Sequence, residues 1–294
     1  MALTRPAPRR LGRRLVGATV FVALVVAATA GVAGYLRHLD QVPPVVRCAA
    51  LANGTSWYLQ TDQADTAALL AGISLRRGLP ARAATIALAT GLQESKLRNV
   101  SSGDRDSLGI FQQRPSQGWG TAEQIMDRTY ATNTFYDALV NVAGYQDLPI
   151  TKAAQAVQRS GFPEAYAAHE PQARAWASAL YGYDPGAVTC TLGDPDGHGE
   201  VAAVDARVKR DLGPLATTAG KDGSITVDAG SMAAANDQDR LGWAVAHWAV
   251  AVSSPLQVVE VDHMGRRWQR STGKWTPVDG TPGAAGQVRI VLAP

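Results

Sequence analysis

The sequence predicts an N-terminal transmembrane helix, a mainly α domain over residues 48–190 and a small α+β domain over residues 201–294, and three observations carry that prediction. Residues 15–36 are 22 positions without a charge, and about 20 predominantly apolar residues are enough to cross a hydrocarbon core. Helical spacing of apolar residues with cap signals then dominates from Asp62 to Gln158, and after Cys190 the pattern changes to Gly/Asp-rich chain followed by short β-type runs.

Residues 1–14 form a basic tail: Arg5, Arg9, Arg10, Arg13 and Arg14 all precede the apolar run, and no acidic residue occurs before Asp40. That asymmetry predicts a cytoplasmic N-terminus, a single-pass anchor in the cell membrane and an extracytoplasmic body. A cleaved signal peptide is the alternative, since Ala28-Thr29-Ala30 has small residues at a suitable spacing; both readings export the body. From Arg37 onward there are 23 basic against 25 acidic residues, so the body lacks the basic face expected of a nucleic-acid binder. A single span also argues against a solute transporter.

Residues 37–47, with Pro43-Pro44, read as a spacer. In the next segment Asp62 is a candidate cap for a helix through Ala67, Leu70 and Ile73 that ends near Gly78. Pro80 suits the first turn of a second helix, running through Ile86, Leu88 and Leu92 to Glu94. Thr121 with Gln124 makes a capping-box pattern, Phe135, Leu139 and Val142 share a later helical face, and Thr151 is a candidate cap for Ala153 to Gln158. Between the second and third helices, Asn99 to Gly120 is rich in Ser, Gly, Asp and Gln, the composition of a functional loop. Residues 191–200 read as a linker. Beyond it, Val201 to Val208 and Leu241 to Trp248 suggest helices, the second packed on a small sheet. Leu256 to Asp262, Arg266 to Arg270 and Gln287 to Leu292 suggest strands of that sheet. Cys48 and Cys190 fit an oxidising compartment and bracket the first domain; a bridge between them is expected.

Glu94 lies where an apolar helix meets the polar loop, and one and two turns back stand Gly91 or Thr90 and Ala87 or Ile86. A carboxyl group against so small and apolar a face loses hydration of its charged form, which favours holding a proton near neutral pH. Breaking a glycosidic bond needs such an acid, because the leaving sugar oxygen departs poorly as an alkoxide. Taken alone, a Glu at a helix end is more often a solvated surface residue.

The runs Glu94-Ser95-Lys96-Leu97, Gly103-Asp104-Arg105-Asp106-Ser107-Leu108-Gly109-Ile110-Phe111-Gln112-Gln113 and Ala153 to Ser160 resemble the lysozyme-like superfamily of soluble lytic transglycosylases. The stretch from Asp104 to Gly120 is similar to single-spanning actinobacterial envelope proteins of that superfamily, and Gly103 to Gly109 to goose-type lysozymes. The resemblance covers about residues 60–185. It implies a lysozyme-like fold and cleavage of the β-1,4 bond between N-acetylmuramic acid and N-acetylglucosamine in peptidoglycan, with Glu94 as general acid/base and Ser95 beside it.

The resemblance also implies that the Gly109-Ile110-Phe111-Gln112 turn lines the saccharide cleft and that a residue between Gln158 and Tyr166 faces Glu94. The last segment departs from the usual Ala-Tyr-Asn pattern. Asp104 and Asp106 are candidate second carboxylates for hydrolysis, although Asp106 equally suits an Asx-turn; transglycosylation needs no second carboxylate, because the substrate's N-acetyl group assists. Ser95, Gln112, Gln113, Gln158 and Tyr166 are candidate substrate-binding residues, hydrogen-bonding partners for the sugar, and Trp119 a candidate stacking face. No cofactor motif and no zinc spacing of histidines is present, and the Asp194 to Glu200 stretch lacks the closing Glu of a calcium loop. The expected partner is the peptidoglycan glycan strand, with a non-catalytic wall-binding or scaffold protein as the competing reading.

Overall fold

The computed structural model describes residues 24–25, 27–32, 45–159, 164–232, 237–279 and 283–294. Residues 1–44 and 45–294 form two separate units. In the first, residues 24, 25 and 27–32 are helical. The expected tail, most of the expected span (15–36) and most of the spacer lie outside the described residues. Among those described, no helix is long and apolar enough to cross a membrane.

The body opens with a β-hairpin where the sequence predicts only the start of a mainly α domain. Strands β1 (Arg47–Ala52) and β2 (Thr55–Leu59) are joined by Asn53-Gly54, both at positive φ (50° and 74°), as the tight two-residue hairpin turns require. Strand β3 (Val188–Thr191) pairs with the other edge of β1, giving the antiparallel order β2-β1-β3. Cys48 and Cys190 are directly opposed across β1 and β3 and are joined by a disulfide. Sheet register therefore brings together two sulfurs 142 positions apart in the chain.

Six helices fill the interval: α1 (Thr61–Arg76), α2 (Ala81–Ser95), α3 (Ala122–Met126), α4 (Arg128–Val140), α5 (Ile150–Gln158) and α6 (Glu170–Leu180). Gln60, not Asp62, caps α1; its backbone N–H is satisfied by Gln63 Oε1 at 2.8 Å, and Asp62 sits in the first turn. The Thr121/Gln124 capping box forms reciprocally, but its helix is only five residues long. Asp127 starts the longer α4 by accepting from the N–H groups of Thr129 and Tyr130. Helix α5 starts at Ile150 after Pro149, so Thr151 lies inside it rather than capping it.

The C-terminal part contains α7 (Val201–Asp211), β4 (Ala216–Ala219), β5 (Ser224–Asp228), α8 (Gln238–Ala251), β6 (Val258–His263), β7 (Arg266–Gln269), β8 (Lys274–Pro277) and β9 (Gln287–Leu292). Its strands make a six-stranded antiparallel sheet in the order β4-β5-β9-β6-β7-β8. The expectation of a mainly α protein with a small α+β addition is therefore corrected: with about 47% helix, about 19% strand and two antiparallel sheets, the architecture is mixed α/β. The shift comes from short strands that the sequence periodicity does not register. Strand β1 pairs locally with β2 and across the domain with β3, and β4–β5 and β7–β8 are further local pairings.

Helix α8 explains how the two parts are joined. Every residue from Leu241 to Ala251 is buried, and a helix apolar on all sides needs cover on all sides. One flank packs on β6 and β9, the other on α1 and α6, so a single hydrophobic core runs through residues 48–292. A buried ionic chain reinforces the join. Arg207 donates to Asp65 Oδ1 (2.5 Å) on α1 and to Asp211 Oδ2 (2.7 Å), and Asp211, fully buried, also accepts from Arg210 (2.7 Å) and from Trp248 Nε1 (3.0 Å) on α8. Arg128 completes the cover of Asp65 at 2.7 Å.

Candidate active site

The last turn of α2 presents Glu94, half-buried, immediately before a sharp exit in which Lys96 and Leu97 both adopt positive φ (55° and 59°). The N–H of Leu97 closes on the Gly91 carbonyl at 2.8 Å, and that of Lys96 on Leu92 at 3.1 Å, which satisfies the terminal carbonyls and turns the chain back. Helix α1 braces this exit: Gln63 Nε2 donates to the Lys96 carbonyl (2.8 Å), and Arg98 pairs with Asp62 (2.8 Å). The apolar Ala87/Gly91 face anticipated behind Glu94 is buried, with Leu97 and Ile110 packed against Gly91.

The Gly109–Gln112 turn is fastened to α2 and α5 from several sides. Leu108 and Gln113 exchange backbone hydrogen bonds at 2.9 and 3.0 Å, closing the loop. Gly109 adopts φ +75°, and a Cβ there would lie 2.9 Å from the Ile125 carbonyl, so both conformation and space demand glycine. Phe111 is buried in a stack on Phe135, centroids 4.3 Å apart. The hydroxyl of Ser95 donates to the Ile110 carbonyl (2.7 Å), and Gln158 Nε2, from the end of α5, donates to the next carbonyl, Phe111, also at 2.7 Å.

Tyr166 completes the constellation. It lies in a 3-10 turn, Ala165–His169, is wholly buried, and donates its hydroxyl to Glu94 Oε1 at 2.7 Å. The second carboxylate oxygen of Glu94 accepts no hydrogen bond from any described residue. The same turn brings His169 Nε2 to 3.0 Å from Gln93 Oε1, and burial holds His169 below the ordinary histidine value. Neither Gln93 nor His169 stands out in the sequence as a site residue. Their only signal is adjacency, one to Glu94 and the other to the turn that carries Tyr166.

The remaining candidates divide into groups. Ser95 is committed to the Ile110 carbonyl. Gln113 is buried, its amide donating to Ala131 (3.2 Å) and Thr134 (3.4 Å), so it ties the loop to α4. Gln112 folds its amide back onto the Gly109 carbonyl (3.3 Å), its side chain filling the space beside Gly103. Asp106 is bound by the Ser116 N–H (2.8 Å) and the Arg114 guanidinium (2.7 Å), which together hold its carboxyl well below the usual carboxylate range. It is a fixed anion that shapes the loop. The Asp104 side chain is 90% exposed, its only ionic neighbour among the described residues being Arg105 at 3.8 Å. Trp119 does not meet Glu94 directly; it lines a groove of about 690 Å³ between the 117–119 loop, α4 and the end of α5, and Gln158 lines the same groove.

A larger groove of about 740 Å³, between the β1–β2 turn and α6, contains none of the sequence candidates. Among the described residues no cluster of three or more His, Cys, Asp or Glu side chains is arranged to hold a metal ion. Comparison of the chain with protein-family models and with curated proteins gives no match in either case.

Proposed function

We propose that the chain is a lysozyme-like glycosidase of the cell envelope that cleaves the β-1,4 bond between N-acetylmuramic acid and N-acetylglucosamine, with Glu94 as the acid/base. One observation carries the reading: a half-buried carboxyl group at a helix end has one oxygen fixed by a buried phenol and the other without a donor among the described residues, beside a turn whose consecutive carbonyls are fastened by Ser95 and Gln158. A group meant to deliver a proton to a leaving oxygen needs its orientation fixed and one oxygen available, and this arrangement supplies both. The N-terminal basic tail and apolar run support anchoring in the cytoplasmic membrane with the body outside. The disulfide fits the same compartment.

Within this reading the loop carboxylates favour transglycosylation over hydrolysis. Asp106 is consumed by Arg114 and Ser116, and no contact ties exposed Asp104 to Glu94. Neither is held in place to activate water, so the substrate's N-acetyl group becomes the natural assistant, with Glu94 protonating the leaving oxygen and then accepting the 6-hydroxyl proton as the anhydro ring closes. Incubating the full chain in detergent with purified peptidoglycan and analysing the products by mass spectrometry tests both levels. Anhydro-muropeptides are expected; reducing muramyl ends would shift the mechanism to hydrolysis, and unchanged peptidoglycan would remove the enzymatic reading in favour of a wall-binding scaffold.

A further inference from the structure

The groove that starts at Gln158 has a composition the acid/base assignment leaves unused. Ala138, Val142, Val157 and Trp119 give it an apolar lining, and Gln117, Asn141 and Gln158 add amide side chains to that lining. Its volume, about 690 Å³, falls within the range of small-ligand sites. A lining that combines apolar side chains, an aromatic ring and amides suits a sugar, whose C–H faces are apolar and whose edges carry hydroxyl and amide groups.

One charged side chain lines the groove among the described residues: Arg159. It is exposed, follows the last residue of α5 at φ 50°, and makes no ion pair with any described residue. Other arginines of this half are committed: Arg77 to Asp137, Arg98 to Asp62, Arg114 to Asp106, Arg128 to Asp65 and Arg174 to Glu170. Glycine is the usual residue for a left-handed helix end, and the chain places a long cation there instead. A basic residue at a helix C-terminus also complements the helix dipole, so the test below separates that role from ligand binding.

We propose that this groove is a saccharide subsite in which Trp119 carries a sugar face and Arg159 pairs with a carboxylate on the muramyl unit, making the protein selective for muramyl over neutral glycan; the inference rests on the glycosidase reading above. A planar guanidinium suits a carboxylate through two parallel N–H donors. The carboxylate has two sources with the same chemistry: the free lactyl group of a peptide-free strand, or the peptide carboxylates where that lactyl group is amidated by a stem peptide.

The test uses the full chain carrying Glu94→Gln, so that bound glycan is not consumed, and measures calorimetric affinity for three probes. These are neutral chitotetraose, a peptide-free N-acetylglucosamine/N-acetylmuramic acid tetrasaccharide, and the same tetrasaccharide bearing stem peptides. Binding of a muramyl probe roughly tenfold tighter than chitotetraose is expected, the size of one charge-assisted contact. The probe that shows the gain identifies the carboxylate. Adding Arg159→Gly should abolish the preference without lowering the melting temperature, because glycine relaxes the left-handed backbone, and Arg159→Lys should keep part of it. Equal affinity for all three probes, no binding of any, or an unchanged preference in the glycine variant would overturn the proposal. The glycosidase reading fails separately, through unchanged peptidoglycan in the product analysis; if cleavage persists without muramyl preference, only the subsite falls.

Discussion

Tyr166 reaches across 72 positions of sequence to donate its hydroxyl to Glu94 Oε1 at 2.7 Å, while its ring is wholly buried in the core. The carboxyl group is thereby oriented by a residue that is itself immobilised by packing. Glu94→Gln keeps the shape but removes the transferable proton, so peptidoglycan cleavage should fall by at least about a hundredfold with glycan binding retained. Tyr166→Phe keeps the buried ring and removes only the donor. Its kcat should fall roughly tenfold, the scale of one hydrogen bond to a charged group, with a nearly unchanged melting temperature. Undiminished turnover by Glu94→Gln in a peptidoglycan-release assay would sink the assignment.

Asp104 offers a separate check on mechanism. Because its side chain is exposed and pairs, among the described residues, only with Arg105, Asp104→Asn should leave kcat nearly unchanged in the same assay. A loss approaching about a hundredfold would instead identify a water-activating base and hydrolysis.

The Cys48–Cys190 bridge closes a loop of 142 positions, for which chain entropy implies about 5 kcal/mol of stabilisation. Cys48→Ala with Cys190→Ala should lower the unfolding free energy by an amount of that order in urea titrations. Reductant should further destabilise the wild type but not the double variant.

Arg207 lies between two acidic groups, Asp65 and the fully buried Asp211, and links α7 to α1. Arg207→Met would remove the cation and leave both carboxylates under-compensated, a loss of roughly 3–5 kcal/mol for a broken buried pair. Since α8 places both parts of residues 45–294 on one core, calorimetry should show a single unfolding transition for that unit, shifted down as a whole by this change. Two separated transitions would contradict the shared core.

His247 on α8 gives the body a dependence on pH. Its Nδ1–H donates to the Ala179 carbonyl (2.6 Å) and its Nε2 accepts from the Ala187 N–H (3.1 Å), which fixes the neutral form. Burial, with nearby His263 and Arg266 adding repulsion, pushes its pKa down to about 4 from 6.5. Between those values the unfolded chain binds more protons than the folded one, so stability is lost as pH falls from about 6.5 towards 4, by about 3 kcal/mol from this residue. His263, also lowered by burial, acts in the same direction. Urea midpoints measured across that window should slope less steeply for His247→Gln than for wild type, although the variant starts less stable.

Local sequence determined the elements whose signals are local. The spacing of apolar residues marks α1 and α2, the Thr121/Gln124 box marks a helix start, and the run from Leu241 marks an amphipathic helix, whereas the structure buries that helix on every side. The Asn53-Gly54 pair is a local hairpin signal too, but the helical periodicity of the residues that follow masks it. Glu94, the Gly109–Gln112 turn and the 158–166 segment were each visible as motifs.

Only the tertiary structure decided what those residues do. Whether a Gln side chain lines a cleft or only holds a backbone carbonyl depends on where the unpaired carbonyls lie once the chain has closed: Gln113 and Gln158 each hold one, but only Gln158 also lines a groove, while Gln113 is buried. Asp106 became a loop anchor because Arg114 and the Ser116 N–H converge on it. One strand pairing of the mixed α/β architecture, β1 with β3, spans more than a hundred positions, where the energetic reward is non-local and leaves no period in the sequence.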